Sequence, residues 1–422
     1  MAQLKYFILV CIFLNIFSFD SVAGPPVNGQ TISIGKSYTI ESTALQQAQT
    51  IWVGLPVGYQ TGEQKYAVVY LIDGKKFFAF GAALLTRLND TDRIPAAITV
   101  AVDVHTQGRA LNMGSSQAAN FLTFIEKDLI PFVDSNFRTN ARRTLAGWQK
   151  GGGFVIDTLV KRPDLFEGYI AASPYLADDY SLDFSESSAL FAKQKREKYL
   201  YMGVTDGEFG YDIVVKSLVS QIEKAAPKGL VWDFHVASTK SELMVEHELS
   251  LFSTLPKGLV LQHGEYKSLR FNDAADFTAK GGMDFVKTYY AKRARRYDLA
   301  PEIDSNGLWS LLRVAMAQDN IVFFSELMAL KNRQGSKTHV NWMLRYAAFF
   351  QKHGKTKDAI AYYYKTAKLN PRSVKTLQGL GDTYVAVNQT QNAVKTYTKA
   401  IALAKAQSHE LLSVLQGKLA SF

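Results

Sequence analysis

Residues 144–154 restrict this chain more than any other stretch. A short apolar run there meets a glycine-rich turn, and a helical pattern follows from Phe154. In the frame Gly147-Trp148-Gln149-Lys150-Gly151 a glycine stands two residues to either side of the central position. A sharp strand-to-helix turn needs that spacing, because a Cβ at either glycine would collide with the neighbouring strand or helix. Such a turn presents its central side chain at the end of a sheet, and here that side chain is a glutamine. A carboxamide donates and accepts hydrogen bonds, but it cannot act as the hydroxyl, thiol or carboxylate nucleophile of covalent hydrolysis. The frame therefore dictates a buried strand feeding a helix, and leaves open whether chemistry happens there.

The chain around this turn alternates strands with helical stretches. Residues 31–34 and 37–41 alternate as edge strands do, and residues 50–56 form another strand closed by Pro56. Residues 66–72 and 97–102 are continuous apolar runs, the pattern of buried central strands. Phe121, Leu122, Ile125, Leu129, Phe132 and Val133 recur at helical spacing. Leu145 and Ala146 feed the turn, and residues 169–172, 199–202 and 231–236 supply three later strands. This alternation predicts an α/β domain with a mostly parallel sheet covered on both faces.

From about Ser305 the pattern is helical alone. Ala359 and Ala393 lie 34 residues apart, and Leu380, Gly381, Tyr384, Tyr397 and Ala400 fall at the small and aromatic positions of a tetratricopeptide repeat. Gly354, Tyr363 and Pro371 keep the same phase in a looser first unit. Two units rarely bury a core, so residues 308–330 are expected to form an earlier helical hairpin that caps them.

Residues 1–23 read as a cleaved secretory signal: Lys5, an apolar run over residues 6–19, then Ser21, Val22 and Ala23. That run is short for a membrane span, so no stable span is expected in the mature chain. The expected location is periplasmic or secreted. Cys11, the one cysteine, lies in this leader, which leaves no thiolate chemistry in the mature chain. The net charge of +10 is scattered and accompanies no nucleic-acid motif, so it reads as a solvated basic surface. An anionic ligand is the functional alternative.

From about Ser37 to the C-terminus the chain resembles the bacterial esterases of the α/β-hydrolase superfamily that include siderophore esterases, in the subgroup with a tetratricopeptide-like tail. The marks are Glu41 and Ser42; Val53, Leu55, Pro56 and Tyr59; Tyr66, Val68, Tyr70, Leu71, Asp73 and Gly74; Ile94 and Pro95; the 121–131 run with Phe137, Arg138 and Thr139; Pro163, Asp164, Leu165 and Phe166; and Ser173 with Pro174. Together with the leader over 1–23, this divides the chain into an α/β-hydrolase domain over 28–265, a helical connector over 266–304 and repeats over 305–422. The resemblance puts the family's nucleophilic serine on Gln149, so the nucleophile is missing. The family's acid falls on Glu208 first and Asp206 second. Its histidine, which precedes a Gly-Leu pair, falls on His247 through Gly258 and Leu259. The oxyanion hole falls on backbone N–H groups at residues 74–76, with Lys75 at their centre, and at Lys150. Trp148 and Arg109 are candidate ligand contacts. Where many relatives follow an arginine with an acid, Arg109 is followed by Ala110.

Each residue also has a plainer reading. His247, between Glu246 and Glu248, suits an exposed helix or loop, and Glu208 suits a turn. Trp148 could equally be packed beneath a rim. Ser173 reads as structural. No cofactor is expected, and no two histidines share a short metal-binding spacing. Three functions are compatible with the residues: a pseudoesterase holding a small-molecule ester, an anionic ligand or a partner; a weak or unusual carboxylic-ester hydrolase, on a siderophore-type ester for example; or a scaffold that binds a protein partner through its helical repeats.

Overall fold

The computed structural model describes residues 32–104, 115–176, 184, 189, 191–194, 196–238, 242–335 and 338–422. The leader and Arg109 lie outside the described residues. Eight strands form one sheet: β1 (Lys36–Ser42), β2 (Gln47–Gly54), β3 (Tyr66–Ile72), β4 (Ala97–Val102), β5 (Thr139–Trp148), β6 (Gly168–Ala172), β7 (Lys198–Thr205) and β8 (Leu230–Ala237). Their order is β1-β2-β4-β3-β5-β6-β7-β8. β2 pairs antiparallel with both neighbours, and every pairing from β4 through β8 is parallel.

Side chains alternate across the sheet, so β3 feeds two cores. Val68, Tyr70 and Ile72 face a core with Phe124, Ile125, Phe154 and Leu159. These come from α2 (Ser116–Phe124), a π-helical turn (Ile125–Leu129) leading into α3 (Ile130–Asn136), and α4 (Lys150–Lys161). Val69 and Leu71 face the other core, with Phe77, Leu85, Leu251 and Leu255. The helices there are α1 (Gly74–Asp90) and, after α5 (Tyr211–Ala225) and α6 (Leu243–Glu248), α7 (Ser250–Gln262).

Several boundaries differ from the sequence reading, for identifiable reasons. Residues 32–35 form no strand, and the first edge strand begins at Lys36. β5 extends back to Thr139 because Arg142 and Arg143, at the N-terminal end of the sheet, ion-pair with Glu167 and Asp134. The helix after the turn starts at Lys150 rather than Phe154, since its first turn is glycine and carries no apolar pattern. β7 runs past Gly203 to Thr205.

The remaining helices are α8 (Ala274–Ala279), α9 (Gly282–Tyr297), α10 (Ser305–Ala317), α11 (Ile321–Arg333), α12 (Val340–Lys352), α13 (Thr356–Leu369), α14 (Val374–Ala386), α15 (Thr390–Ala406) and α16 (Leu412–Ala420). Leu269, Phe271, Phe277, Val286 and Tyr290 share one core with Leu308, Leu311, Phe324 and Tyr346. The segment expected to be a connector is thus packed into the helical region. Ala359 and Ala393 are both fully buried, and Tyr363 and Tyr397 lie against Gly379 and Gly381, where any Cβ would meet their rings at 2.5 Å.

Glu167 fastens this region to the sheet. Its carboxylate accepts from Arg142 Nη1 at 2.9 and 2.8 Å and from Arg296 Nη2 of α9 at 2.9 Å. Arg296 also donates to Tyr199 Oη at 2.7 Å, and Asn306 donates to Asp92 at 2.7 Å. Among the described residues, no helix is long and apolar enough to cross a membrane.

Candidate functional site

The site forms at the C-terminal ends of β3, β5 and β7, where open α/β sheets place their crevices. Gln149 links β5 to α4 with φ 50° and ψ −117°, a conformation that costs on the order of 1–3 kcal/mol for a residue with a Cβ. Hydrogen bonds hold it there. Its N–H donates to Ala172 O at 3.0 Å, and its carbonyl accepts from Gly153 N at 2.9 Å and Tyr175 N at 3.0 Å. Of the framing glycines Gly147 is sterically required, since its Cβ would lie 2.4 Å from the Gly151 carbonyl, whereas a Cβ on Gly151 would meet Ile72 at 3.2 Å; beyond the frame, one on Gly152 would lie 2.8 Å from Ala172 O.

His247, on the six-residue helix α6, is 3% exposed, so the reading of an exposed histidine fails. Its Nδ1 hydrogen-bonds Glu208 Oε1 and its Nε2 meets the Gln149 carboxamide nitrogen. The consistent assignment has Nδ1–H donating to the carboxylate and the amide donating to the bare Nε2. Glu208 is fully buried, and its second oxygen accepts from Thr205 N at 2.7 Å. Asp206, the second candidate acid, is 65% exposed at its side chain and pairs with Lys216 at 3.4 Å, away from the histidine. The structure thus brings Gln149, His247 and Glu208 together and leaves Asp206 outside.

Trp148 is packed beneath the site. Its indole N–H donates to His247 O at 3.0 Å, its ring lies 4.9 Å from the imidazole, and Lys76 Nζ lies 4.9 Å from its centroid. It positions the backbone of α6 and presents little surface to a ligand. Phe209 and Tyr211 complete the surround, 5.4 and 5.9 Å from the imidazole. Burial and then the Glu208 carboxylate raise the Tyr211 phenol above its usual range. These two aromatics were not legible in the sequence, because Phe209 in a Gly-rich turn carries no periodic signal. Phe209, Met244, Val245, Leu249 and Phe252 are all exposed apolar side chains, and Phe252 packs on Phe77 and Phe80 at 6.1 and 4.0 Å.

Lys150 and Lys75 occupy the first turns of α4 and α1, whose amides have no intrahelical acceptor. The α1 turn approaches the elbow closely: Asp73 Oδ2 lies 3.6 Å from where a Gly151 Cβ would be. The N-cap of α1 thus brings a carboxylate, rather than positive charge alone, to the start of α4. Ser173 points elsewhere; its buried hydroxyl donates to Ser250 Oγ at 2.8 Å. Among the described residues, no three histidine, aspartate, glutamate or cysteine side chains converge as metal ligands would.

Sheet order, elbow and buried Glu208–His247 pair define the class: an esterase-like α/β-hydrolase fold carrying a glutamine at its elbow. Residues 42–206 match the family described as "Putative esterase". Ferri-bacillibactin esterase BesA of Bacillus subtilis (strain 168) is 41% identical over 58 residues, 14% of this chain and 20% of that protein. The siderophore triacetylfusarinine C esterase of Aspergillus fumigatus is 28% identical over 134 residues, 27% of this chain and 46% of that protein. The chain thus spans less than half the length of either curated relative. The crystal structure of an IroE-like serine hydrolase from Shewanella oneidensis superposes with a TM-score of 0.52 at 21% identity, covering 71% of this chain and 99% of that one. That likeness concerns the fold.

Proposed function

We propose that this protein is an exported pseudoesterase, which binds a small-molecule ester, an anionic ligand or a partner at the former acyl site without turning it over. One observation carries the reading: the Gln149 carboxamide occupies the nucleophile position and donates to His247 Nε2. The base is engaged, and nothing at the elbow can form an acyl-enzyme. Removing a triad serine typically costs roughly 10⁶-fold in rate, leaving about 10³–10⁴ over water from oxyanion hole and binding. The helix N-termini at Lys75 and Lys150 favour a polarised carbonyl, and the exposed Phe209 beside His247 favours an apolar body. The leader over 1–23 supports export, and the 34-residue phase of the tail supports tetratricopeptide-like repeats as a second contact surface.

The preserved Glu208–His247 pair favours a second reading, ester hydrolysis in which Gln149 orients a water and His247 takes its proton. A siderophore-type ester would then be the substrate class, by analogy with the matched relatives. Calorimetric titration with short and aromatic acyl esters, followed by recovery of the ester, separates the two. The pseudoesterase reading expects saturable binding with the ester recovered intact. Turnover above a matched blank, abolished by His247→Ala, would establish the hydrolase instead.

A further inference from the structure

The excess positive charge of the chain belongs to one region. Residues 305–422 hold 16 lysines and arginines against 5 aspartates and glutamates, whereas residues 1–304 hold 32 against 33. The scatter expected from the sequence therefore holds only before residue 305, and the last helices carry the whole surplus.

Much of that surplus faces water unpaired. Three of the five carboxylates are already engaged: Asp319 with Lys352 and His353, Glu410 with Lys375, and Asp382 with Lys418. Lys357, Lys365 and Lys368 of α13 and Lys395, Lys399 and Lys405 of α15 are all exposed, and none forms an ion pair among the described residues. Lys365 and Lys399 stand 34 residues apart, the spacing that runs through the tail. Such a surface concentrates polyanions near it, with a reach of about 10 Å at 0.1 M salt.

The side chains between the lysines narrow the kind of polyanion. Tyr364 and Leu369 are 54% and 63% exposed. At about 100° per residue they share one face of α13 with Lys365 and Lys368, opposite the buried Ala359 and Tyr363. Lys368 Nζ lies 5.4 Å from the centroid of the Tyr364 ring. The one carboxylate of this helix, Asp358, is in its first turn, at the other end. An acidic polypeptide would use the ammonium groups and leave the tyrosine and leucine unused. A bilayer surface takes both, with lipid phosphates on the lysines and the headgroup boundary around the two apolar side chains.

We propose that the helical region docks peripherally on an anionic lipid bilayer, with Tyr364 and Leu369 entering the interface and the lysines of α13 and α15 supplying the attraction. The elbow takes no part in this contact.

The test is co-sedimentation of the mature chain with vesicles of phosphatidylcholine, alone or with about one third phosphatidylglycerol, beside a titration with soluble polyglutamate. The 1–23 leader is left off, since its apolar run would itself bind lipid. Binding should require the anionic lipid and fall at least about tenfold between roughly 0.1 and 0.5 M salt. Lys365→Glu with Lys368→Glu should weaken it about tenfold or more. Tyr364→Ser with Leu369→Ser, which leaves the charge unaltered, should weaken vesicle binding about fivefold and leave polyglutamate binding unchanged. Three results would overturn the proposal: no binding to the anionic vesicles, equal binding to neutral ones, or vesicle binding indifferent to the serine pair, which would make this a surface for an acidic polypeptide.

Discussion

At the scale of single residues, Gln149 sits in a strained strand-to-helix elbow with φ 50°. The left-handed φ, the three backbone hydrogen bonds and the framing glycines all persist around a side chain that cannot attack a carbonyl. Gly147→Ala should accordingly destabilise the fold by about 3 kcal/mol, because the new methyl meets main-chain atoms that cannot swing aside. Urea unfolding of the variant beside the parent protein measures this.

His263 makes a pH prediction. It is 3% exposed, and burial holds its imidazole down to about 3 from an ordinary 6.5. Between those values the unfolded chain binds a proton that the folded chain refuses, so stability falls as pH drops below 6.5. The contribution is about 1.4 kcal/mol per pH unit. Unfolding free energies from pH 7 to 4.5 should flatten by roughly that slope in His263→Gln; an unchanged slope would contradict the burial argument.

At the scale of elements, the glycine frame and the continuous apolar runs made the sheet readable. β3 and β4 begin and end where their apolar residues do, because both are buried on two faces. Elements whose ends are polar were less legible: β5 hides its first residues behind Arg142, which serves the Glu167 clasp, and Arg143, which pairs with Asp134. The site followed the same division. Gln149 was visible in the glycine frame and His247 through the family resemblance, whereas the choice between Glu208 and Asp206 depended on how the chain turns after Thr205. Only the fold shows that Glu208 points inward and Asp206 to solvent. The clasp itself was invisible, since Arg142 and Glu167 lie 154 and 129 positions from Arg296. Glu167→Ala leaves Arg142 and Arg296 facing each other at 14% and 15% side-chain exposure. It should cost about 3 kcal/mol and loosen α9 from the sheet, read as faster amide exchange in 282–297 with β3 unaffected.

At the scale of the molecule, Arg296 and Asn306 bond the helical region to Glu167, Tyr199 and Asp92 of the sheet-bearing part of the chain. The core of the helical region begins at Leu269, because Leu269, Phe271, Phe277, Val286 and Tyr290 are buried together with residues of α10–α12. A fragment ending at residue 299 should therefore expose the Phe271–Phe277 cluster and bind a hydrophobic dye that the full chain does not.

The most direct test of the central claim, an assembled esterase site lacking only its nucleophile, is restoration. Ester hydrolysis should be absent in the natural protein, appear in Gln149→Ser, and vanish again when His247→Ala is added. A Gln149→Ser protein that folds, binds the ester and stays silent would show that acid, base and oxyanion hole are no longer arranged for catalysis.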